Sequence, residues 1–520
     1  MTSGLYPLPF QEPLPLSAIV RELDVLEMAG TEDAERMIVS LAADSREVLP
    51  GSLFVAIRGF AFDGHRYISE AVRSGAAAVI CEALPEDNGS GAVYIRVADS
   101  RRALAAAARA FYRNASERIF LIGVTGTNGK TTTARLIADM LNSCGIPAGY
   151  IGTNLCRIAG RDISLDRTTP EAHELQALFR RMLDAGCQAA VMEVSSHALV
   201  LDRVSGLRFR CAVFTNLSME HLDFHQTMAG YADAKQILFD QLDPEGFAVF
   251  NIDDPYASQM ASRVAADKRF CCTLKPQREL TLRCGRSFSA AVSSRTLGSA
   301  SVELHFPDAV HTVQTELPGM YNVMNLLEAA AVLSGMGIAP GHVAAVLGKP
   351  FRVEGRMERI WDTEKSRCAF VDYAHTPDAL EKALSALGEL KSSDARLVVV
   401  FGCGGNRDRL KRPEMGRIAS EKADFVFLTS DNPRDENPEF ILDEIECGME
   451  GSNYRRITGR EEAIREAAAT LLPGDILLVA GKGHETYQEI AGIKHFFSDQ
   501  EILRECLQNG SLMAPEKERA

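Results

Sequence analysis

The sequence predicts an α/β protein of three domains, and three observations carry that prediction. The chain has 520 residues, more than one core covers, because single cores stop growing near ~250–300 residues. Short apolar runs of the kind found in buried parallel strands alternate with helical stretches, as in a doubly wound sheet. A glycine-rich turn, Gly126-Thr127-Asn128-Gly129-Lys130-Thr131-Thr132, stands between a strand-like run and a helix. A nucleotide-binding sheet places its phosphate loop there.

The first domain, residues 1–117, reads as a small α/β unit, with strands at 52–57 and 77–80 and helices at 67–74 and 102–112. The second, 118–353, reads as a P-loop ATPase-like parallel sheet, with strands at 119–124, 189–194 and 211–216 and a helix at 130–143. The third, 354–520, reads as Rossmann-like, with strands at 368–373, 396–401, 425–428 and 476–480. The polar tail from Met513 reads as frayed.

Composition is that of a soluble globular protein, 46% hydrophobic and 24% charged. A net charge of −14 argues against nucleic acid as partner, since phosphate backbones call for clustered Lys and Arg. No apolar run reaches the ~18 residues of a membrane span. The proline-rich start, with Pro7, Pro9, Pro13 and Pro15, is no secretory signal. Twelve cysteines are scattered without a CxxC pair, and the adjacent Cys271 and Cys272 suit no mutual bridge. They read as reduced thiols of a cytoplasmic enzyme.

In the glycine-rich turn, backbone N–H groups can face phosphate oxygens, Lys130 can reach the terminal phosphates and the Thr131 hydroxyl can bind Mg²⁺. The general pattern wants a glycine five places before Gly129, where Val124 stands. The loop is therefore the shorter GxxGKT form. Glu193 ends an apolar run near the loop and offers the oxygen ligands Mg²⁺ requires. His221 and His225 fall in a polar loop. Read alone, Lys235 is a solvated helix lysine, and Asp431 to Arg434 an Asn-Pro turn with a surface arginine.

This loop, together with a series of later motifs, resembles the Mur ligases of bacterial cell-wall synthesis over nearly the whole chain. The motifs include Asp44-Ser45-Arg46, Thr168-Thr169-Pro170, Glu193-Val194-Ser195-Ser196-His197, His221-Leu222-Asp223-Phe224-His225, Ala234-Lys235 and Asn322-Val323-Met324-Asn325. Gly355-Arg356, Asp372-Tyr373-Ala374-His375-Thr376-Pro377, Asp431-Asn432-Pro433-Arg434 and Gly481-Lys482-Gly483-His484-Glu485 complete the series.

The resemblance implies an ATP- and Mg²⁺-dependent ligase that joins meso-diaminopimelate to UDP-N-acetylmuramoyl-L-alanyl-D-glutamate through an acyl phosphate. It implies nucleotide contacts from Gly126 to Thr132, Asn322, Asn325, Arg356, Asp372 and His375. The implied metal set is Thr131, Glu193, His221 and a carbamylated Lys235, and Lys130 and Arg356 join the last three as catalytic residues. Ser45, Phe60, Ala61, Thr168, Thr169, Ser195 and Arg203 would hold the UDP-muramoyl substrate. Arg407, Asp431, Asn432, Pro433, Arg434, Gly481 and Glu485 would hold diaminopimelate, with Arg434 reading its distal carboxylate and Glu485 its distal ammonium. Arg167 stands where asparagine is common, and Leu201 where some members have glutamine. The expected molecule is a cytoplasmic monomer without nucleic-acid or membrane partner. The alternatives are a lysine-adding ligase, a folylpolyglutamate synthase, or, in another class, a P-loop regulatory ATPase.

Overall fold

The computed structural model describes residues 12–508, apart from 31–32, 34, 60–62, 87–90, 276–281 and 365. Pro7, Pro9, Phe60, Ala61 and the tail from Met513 lie outside the described residues. Three main sheets follow one another along the chain.

The first has five strands, in the order Val25–Gly30, Val93–Val97, Ala78–Cys81, Ser52–Val55, Ser40–Ala42. Only the Val25–Gly30 edge is antiparallel. The helix expected at 102–112 spans Ser100–Phe111, because the Asp99 carboxylate accepts from the N–H groups of Arg101 and Arg102 and so caps it earlier.

The second sheet has eleven strands. Its core is the expected parallel array: Ala148–Gly152, Ala189–Glu193, Phe120–Thr125, Phe209–Phe214, Leu242–Asn251, Arg269–Thr273 and Arg286–Arg295. Antiparallel strands at both edges make the sheet as a whole mixed. Antiparallel strands Leu155–Ile158 and Arg161–Ser164 extend one edge, and Ala300–His305 and Val310–Thr315 the other. Ala300–His305 alternates buried and half-buried residues. Such a strand covers one face only and needs a tight turn rather than a helical crossover. The helix Lys130–Ser143 starts at the end of the phosphate loop and shares its core with the helix Met320–Gly335.

The third sheet has six strands, in the order Glu358–Trp361, Cys368–Asp372, Ile476–Ala480, Leu397–Phe401, Phe425–Leu428, Tyr454–Arg456. All but the first are parallel. The carboxyl ends of its central strands lead into Gly481, Gly402 and Thr429, the side on which open α/β sheets hold ligands.

One cysteine expectation changes. Cys271 and Cys284 form a disulfide with Cα atoms 6.0 Å apart, while the other ten are free thiols. The parallel pairing of Arg269–Thr273 with Arg286–Arg295 folds the chain back and brings two cysteines thirteen apart together. Spacing alone does not reveal that.

Candidate active site

The phosphate loop is held almost entirely by its neighbours' polar atoms. Thr127 N donates to Asn216 O at 2.8 Å and Asn128 N to Asn216 Oδ1 at 3.0 Å. Thr215 Oγ1 and Asn216 Nδ2 both donate to Asn128 O, at 2.6 and 2.9 Å. Gly126 has φ +150°, and a Cβ there would collide with Thr215 Oγ1. Glycine is thus required at 126, whereas Val124 is a fully buried strand residue. The short loop form follows from where the close approach falls.

A half-buried and a buried lysine converge on the loop. Lys130 Nζ donates to Gly126 O at 2.9 Å and Thr127 O at 2.7 Å, and Lys235 Nζ to Gly126 O at 2.8 Å. Lys235 is 1% exposed and 4.4 Å from the Tyr231 ring centre. Burial, then the Lys130 charge, pushes its amine well below the ordinary lysine value. It is not the solvated lysine that its local sequence suggests.

Thr131 Oγ1 donates to Glu193 Oε2 at 2.9 Å. The wholly buried Glu193 also accepts from Tyr150 Oη at 2.7 Å and Thr153 N at 3.0 Å. The Thr131 hydroxyl and Glu193 carboxylate are adjacent hard oxygen donors, a donor set that fits Mg²⁺.

His221 adopts φ +56° and packs edge-on to His197 at 4.8 Å. Desolvation by the surrounding rings lowers its imidazole to about 4, although 43% of the side chain is open to solvent. His225 bonds Ser196 Oγ at 2.9 Å and stacks on Tyr231.

The third unit reaches this loop directly. Arg356 Nη2 donates to Thr131 Oγ1 at 3.1 Å, and its guanidinium lies 4.6 Å from the Tyr373 ring centre. Asp372 accepts from Met357 N at 2.7 Å, which fixes the turn carrying Arg356. His375 Nδ1 is 2.8 Å from Tyr373 O, and its Nε2 is 3.6 Å from Glu220. Asn325 Oδ1 accepts from Thr133 Oγ1, and Asn325 Nδ2 donates to Asn322 Oδ1.

Two residues absent from the sequence reading join here. Glu220 lies between His221, His375 and Lys130. Burial alone would raise its carboxyl, but the His375 hydrogen bond and the neighbouring His221, His375 and Lys130 side chains hold it far below the usual range. Asp378 accepts from Asn128 Nδ2 at 2.6 Å and Ser218 Oγ at 3.2 Å. Its only local signal is its place beside Pro377, at the start of the helix Pro377–Gly388.

Of the residues expected at the UDP-muramoyl end, Thr168, Thr169, Ser195 and Arg203 gather beside Glu193. Thr169 Oγ1 donates to Glu193 O at 2.9 Å and accepts from Ser195 N at 3.1 Å. Arg203 Nη1 donates to Thr169 O at 3.2 Å, and Thr168 Oγ1 is 3.2 Å from Thr153 Oγ1. Arg203 pairs with Glu171 at 2.9 Å, and Arg167 faces the same carboxylate at 3.7 Å. Ser45 is buried at the start of a short turn capped by the Asp44 carboxylate.

At the third sheet's carboxyl edge, Asn432 Nδ2 donates to Glu485 Oε2 at 2.8 Å. Lys482 Nζ donates to Asn432 Oδ1 at 2.9 Å and Glu485 Oε2 at 3.1 Å. Gly481, at φ +116°, lets the Asp431 carboxylate approach where a Cβ would block it. Pro433 leads into Arg434, which has φ +51° and donates from Nη1 to Gly405 O at 2.7 Å. Arg407 is exposed on the adjoining loop. These seven expected residues therefore share one rim.

Comparison with known proteins agrees with this geometry. The chain matches the Mur ligase family catalytic domain over residues 38–112, the Mur ligase middle domain over 124–333 and the Mur ligase glutamate ligase domain over 355–483. It is 61% identical over 503 residues to the UDP-N-acetylmuramoyl-L-alanyl-D-glutamate--2,6-diaminopimelate ligase of Chlorobium phaeobacteroides, covering 96% of this chain and 98% of that protein. The enzyme of the same name from Chlorobaculum tepidum is 57% identical over 492 residues, with 94% and 97% covered. A solved structure of a ligase with that name shares 32% identity and a TM-score of 0.66 over 95% of this chain and 99% of its own. A Mycobacterium tuberculosis folylpolyglutamate synthase, 19% identical with a TM-score of 0.59, shares the fold over 72% of this chain and 91% of its own. The chain belongs to the Mur ligase family.

Proposed function

We propose that this protein is an ATP-dependent ligase that adds meso-2,6-diaminopimelate to UDP-N-acetylmuramoyl-L-alanyl-D-glutamate, in peptidoglycan precursor synthesis. The observation that carries the reading is the rim of Asn432, Arg434, Gly481 and Glu485, on the unit whose Arg356 touches the phosphate-loop Thr131. A zwitterionic side-chain end needs an acid and a guanidinium side by side, and this rim offers both. The two Chlorobium and Chlorobaculum relatives, named for this reaction, support the same substrate pair.

The D-glutamyl γ-carboxylate attacks the γ-phosphorus of ATP, and ADP leaves. The amine nitrogen of diaminopimelate then attacks the acyl carbon. The C–O bond to phosphate breaks, phosphate leaves, and the nitrogen loses a proton. Activation comes first because a bare carboxylate is a poor electrophile. Lys130 and Arg356 offset the phosphate charge as a second anion approaches. Mg²⁺ on Thr131 and Glu193 would supply further charge neutralisation at the phosphates. The buried, neutral form of Lys235 is the form that adds CO₂, so burial favours its carbamylation. Thr168, Thr169, Ser195 and Arg203 orient the muramoyl dipeptide, and Ser45 the uridine end. We place the reaction in the cytoplasm, carried out by a single chain.

The test is to mix purified protein with ATP, Mg²⁺, the nucleotide dipeptide and diaminopimelate, and to weigh the nucleotide product by mass spectrometry. The proposal expects a tripeptide nucleotide in step with ADP. ADP without tripeptide would point to a regulatory ATPase and sink it.

A further inference from the structure

The hairpin Tyr487–Ile490 and Ile493–Phe496 lies outside every motif in the sequence reading, yet it braces the Asp431–Arg434 turn at nearly every residue. Gln488 Nε2 donates to Asp431 O at 2.7 Å, and Glu489 N to Asn432 Oδ1 at 2.9 Å. Arg434 N donates to Glu489 O at 3.0 Å, and Ala491 N to Arg434 O at 2.8 Å. Both backbone groups of Arg434 are therefore fixed while its φ is +51°. That conformation is strained for a residue with a side chain and needs its surroundings to hold it.

The side chain is held as well. Glu489 Oε2 lies 3.3 Å from Arg434 Nε, and Arg434 Nη1 is spent on Gly405 O. Both charged groups are about four-fifths shielded from solvent. Lys494 lies opposite Glu489 in the hairpin register, but its ammonium stacks on Tyr487, 4.3 Å from the ring centre.

We infer that Glu489 is a positioning residue for amino-acid selection: its carboxylate and backbone fix the Arg434 guanidinium so that the outer edge is presented to the distal carboxylate of the substrate. Glu489 touches no reacting atom. It acts by removing rotamer freedom from an arginine that otherwise has to be ordered at the moment of binding. Its charge also neutralises the guanidinium, so a largely shielded cation is not left unpaired.

This inference rests on the proposed diaminopimelate reaction, and the test separates the two. KM is measured for diaminopimelate, ATP and the nucleotide dipeptide in wild type, Glu489→Ala, Glu489→Gln and Glu489→Lys. Loss of one largely shielded ion pair predicts a rise of about tenfold in the diaminopimelate KM for Glu489→Ala. Glu489→Gln keeps the side chain's shape and an oxygen beside Nε but loses the charge, and falls between wild type and the alanine variant, within about threefold. Glu489→Lys, which repels Arg434, exceeds the alanine variant. The KM values for ATP and dipeptide stay unchanged in all three. A general packing role would instead move all three KM values and kcat together, and that result overturns the inference. So does an unchanged diaminopimelate KM in the alanine and lysine variants of an active enzyme. Wild type that makes no tripeptide from diaminopimelate overturns the proposed function, and this inference with it.

Discussion

At the phosphate loop, hydrogen bonds to the loop's own backbone groups do most of the holding. Asn216 and Thr215 satisfy the loop's own N–H and C=O groups, and both lysines point back at loop carbonyls. At the amino-acid rim, charged side chains are held by other charged side chains: Lys482 by Glu485, Arg434 by Glu489. The nearby buried Arg412 shows the same style, pairing with Glu436 and Glu444 while donating to Gly404 O at 3.1 Å. The difference teaches how one fold can keep its energy source fixed while its choice of amino acid depends on a few side chains. Phosphate is recognised by N–H groups that any sequence can supply, provided glycine allows the approach. A zwitterion is recognised by particular charges in particular places.

The comparison breaks most sharply at Lys130. Lys130→Ala should lower kcat by about 10³-fold whichever amino acid is offered, since it removes a charge that matters most at the transition state. ADP release under saturating substrates checks this; a loss confined to diaminopimelate would contradict it. Next comes Arg434→Ala, expected to lower kcat/KM for diaminopimelate by about 10²-fold while leaving any lysine turnover unchanged, because a missing fork contact costs only the substrate that uses it. Asp378→Ala loosens the bridge between Asn128 and the third unit. It should raise the KM for ATP by roughly tenfold and leave the amino-acid KM alone.

The effect farthest from the chemistry concerns Glu328, on the helix behind the phosphate loop. Burial pushes its carboxyl up to about 8, partly offset by the hydroxyl of Thr133 at 3.0 Å. The folded chain keeps a proton that the unfolded chain releases near pH 4.5, the ordinary value. Stability from the neutral form is complete below that value and is lost as pH rises toward about 8, at up to ~1.4 kcal/mol per pH unit. Urea unfolding of wild type and Glu328→Gln at pH 6 and 8 should show the wild type losing more. Equal losses would contradict it.

Much of this was legible in the chain itself. Buried parallel strands announce themselves as continuous apolar runs, so residues 189–194 and 476–480 read correctly within a residue. The helix Lys130–Ser143 was bounded by Gly129 and by its polar end. Outer antiparallel strands such as Ala300–His305 were not legible, because six residues that alternate in burial carry little signal. Glu220, Asp378 and Glu489 were missed for a different reason. Each acts on a partner far along the chain or across a turn, and nothing local distinguishes it from a surface acid. The Cys271–Cys284 pair likewise exists only once two parallel strands meet. Lys235 was the hardest case: its helix looks solvated in sequence, and only the packed structure buries it.

The division of labour between loop and rim is tested most directly by one panel. ADP release is followed with the nucleotide dipeptide and ATP fixed, and diaminopimelate, lysine or no amino acid added. The account predicts rapid ADP release with diaminopimelate, at least ~10²-fold slower release with lysine, and almost none without an amino acid. Equal rates with lysine and diaminopimelate, or full release with neither, would contradict it.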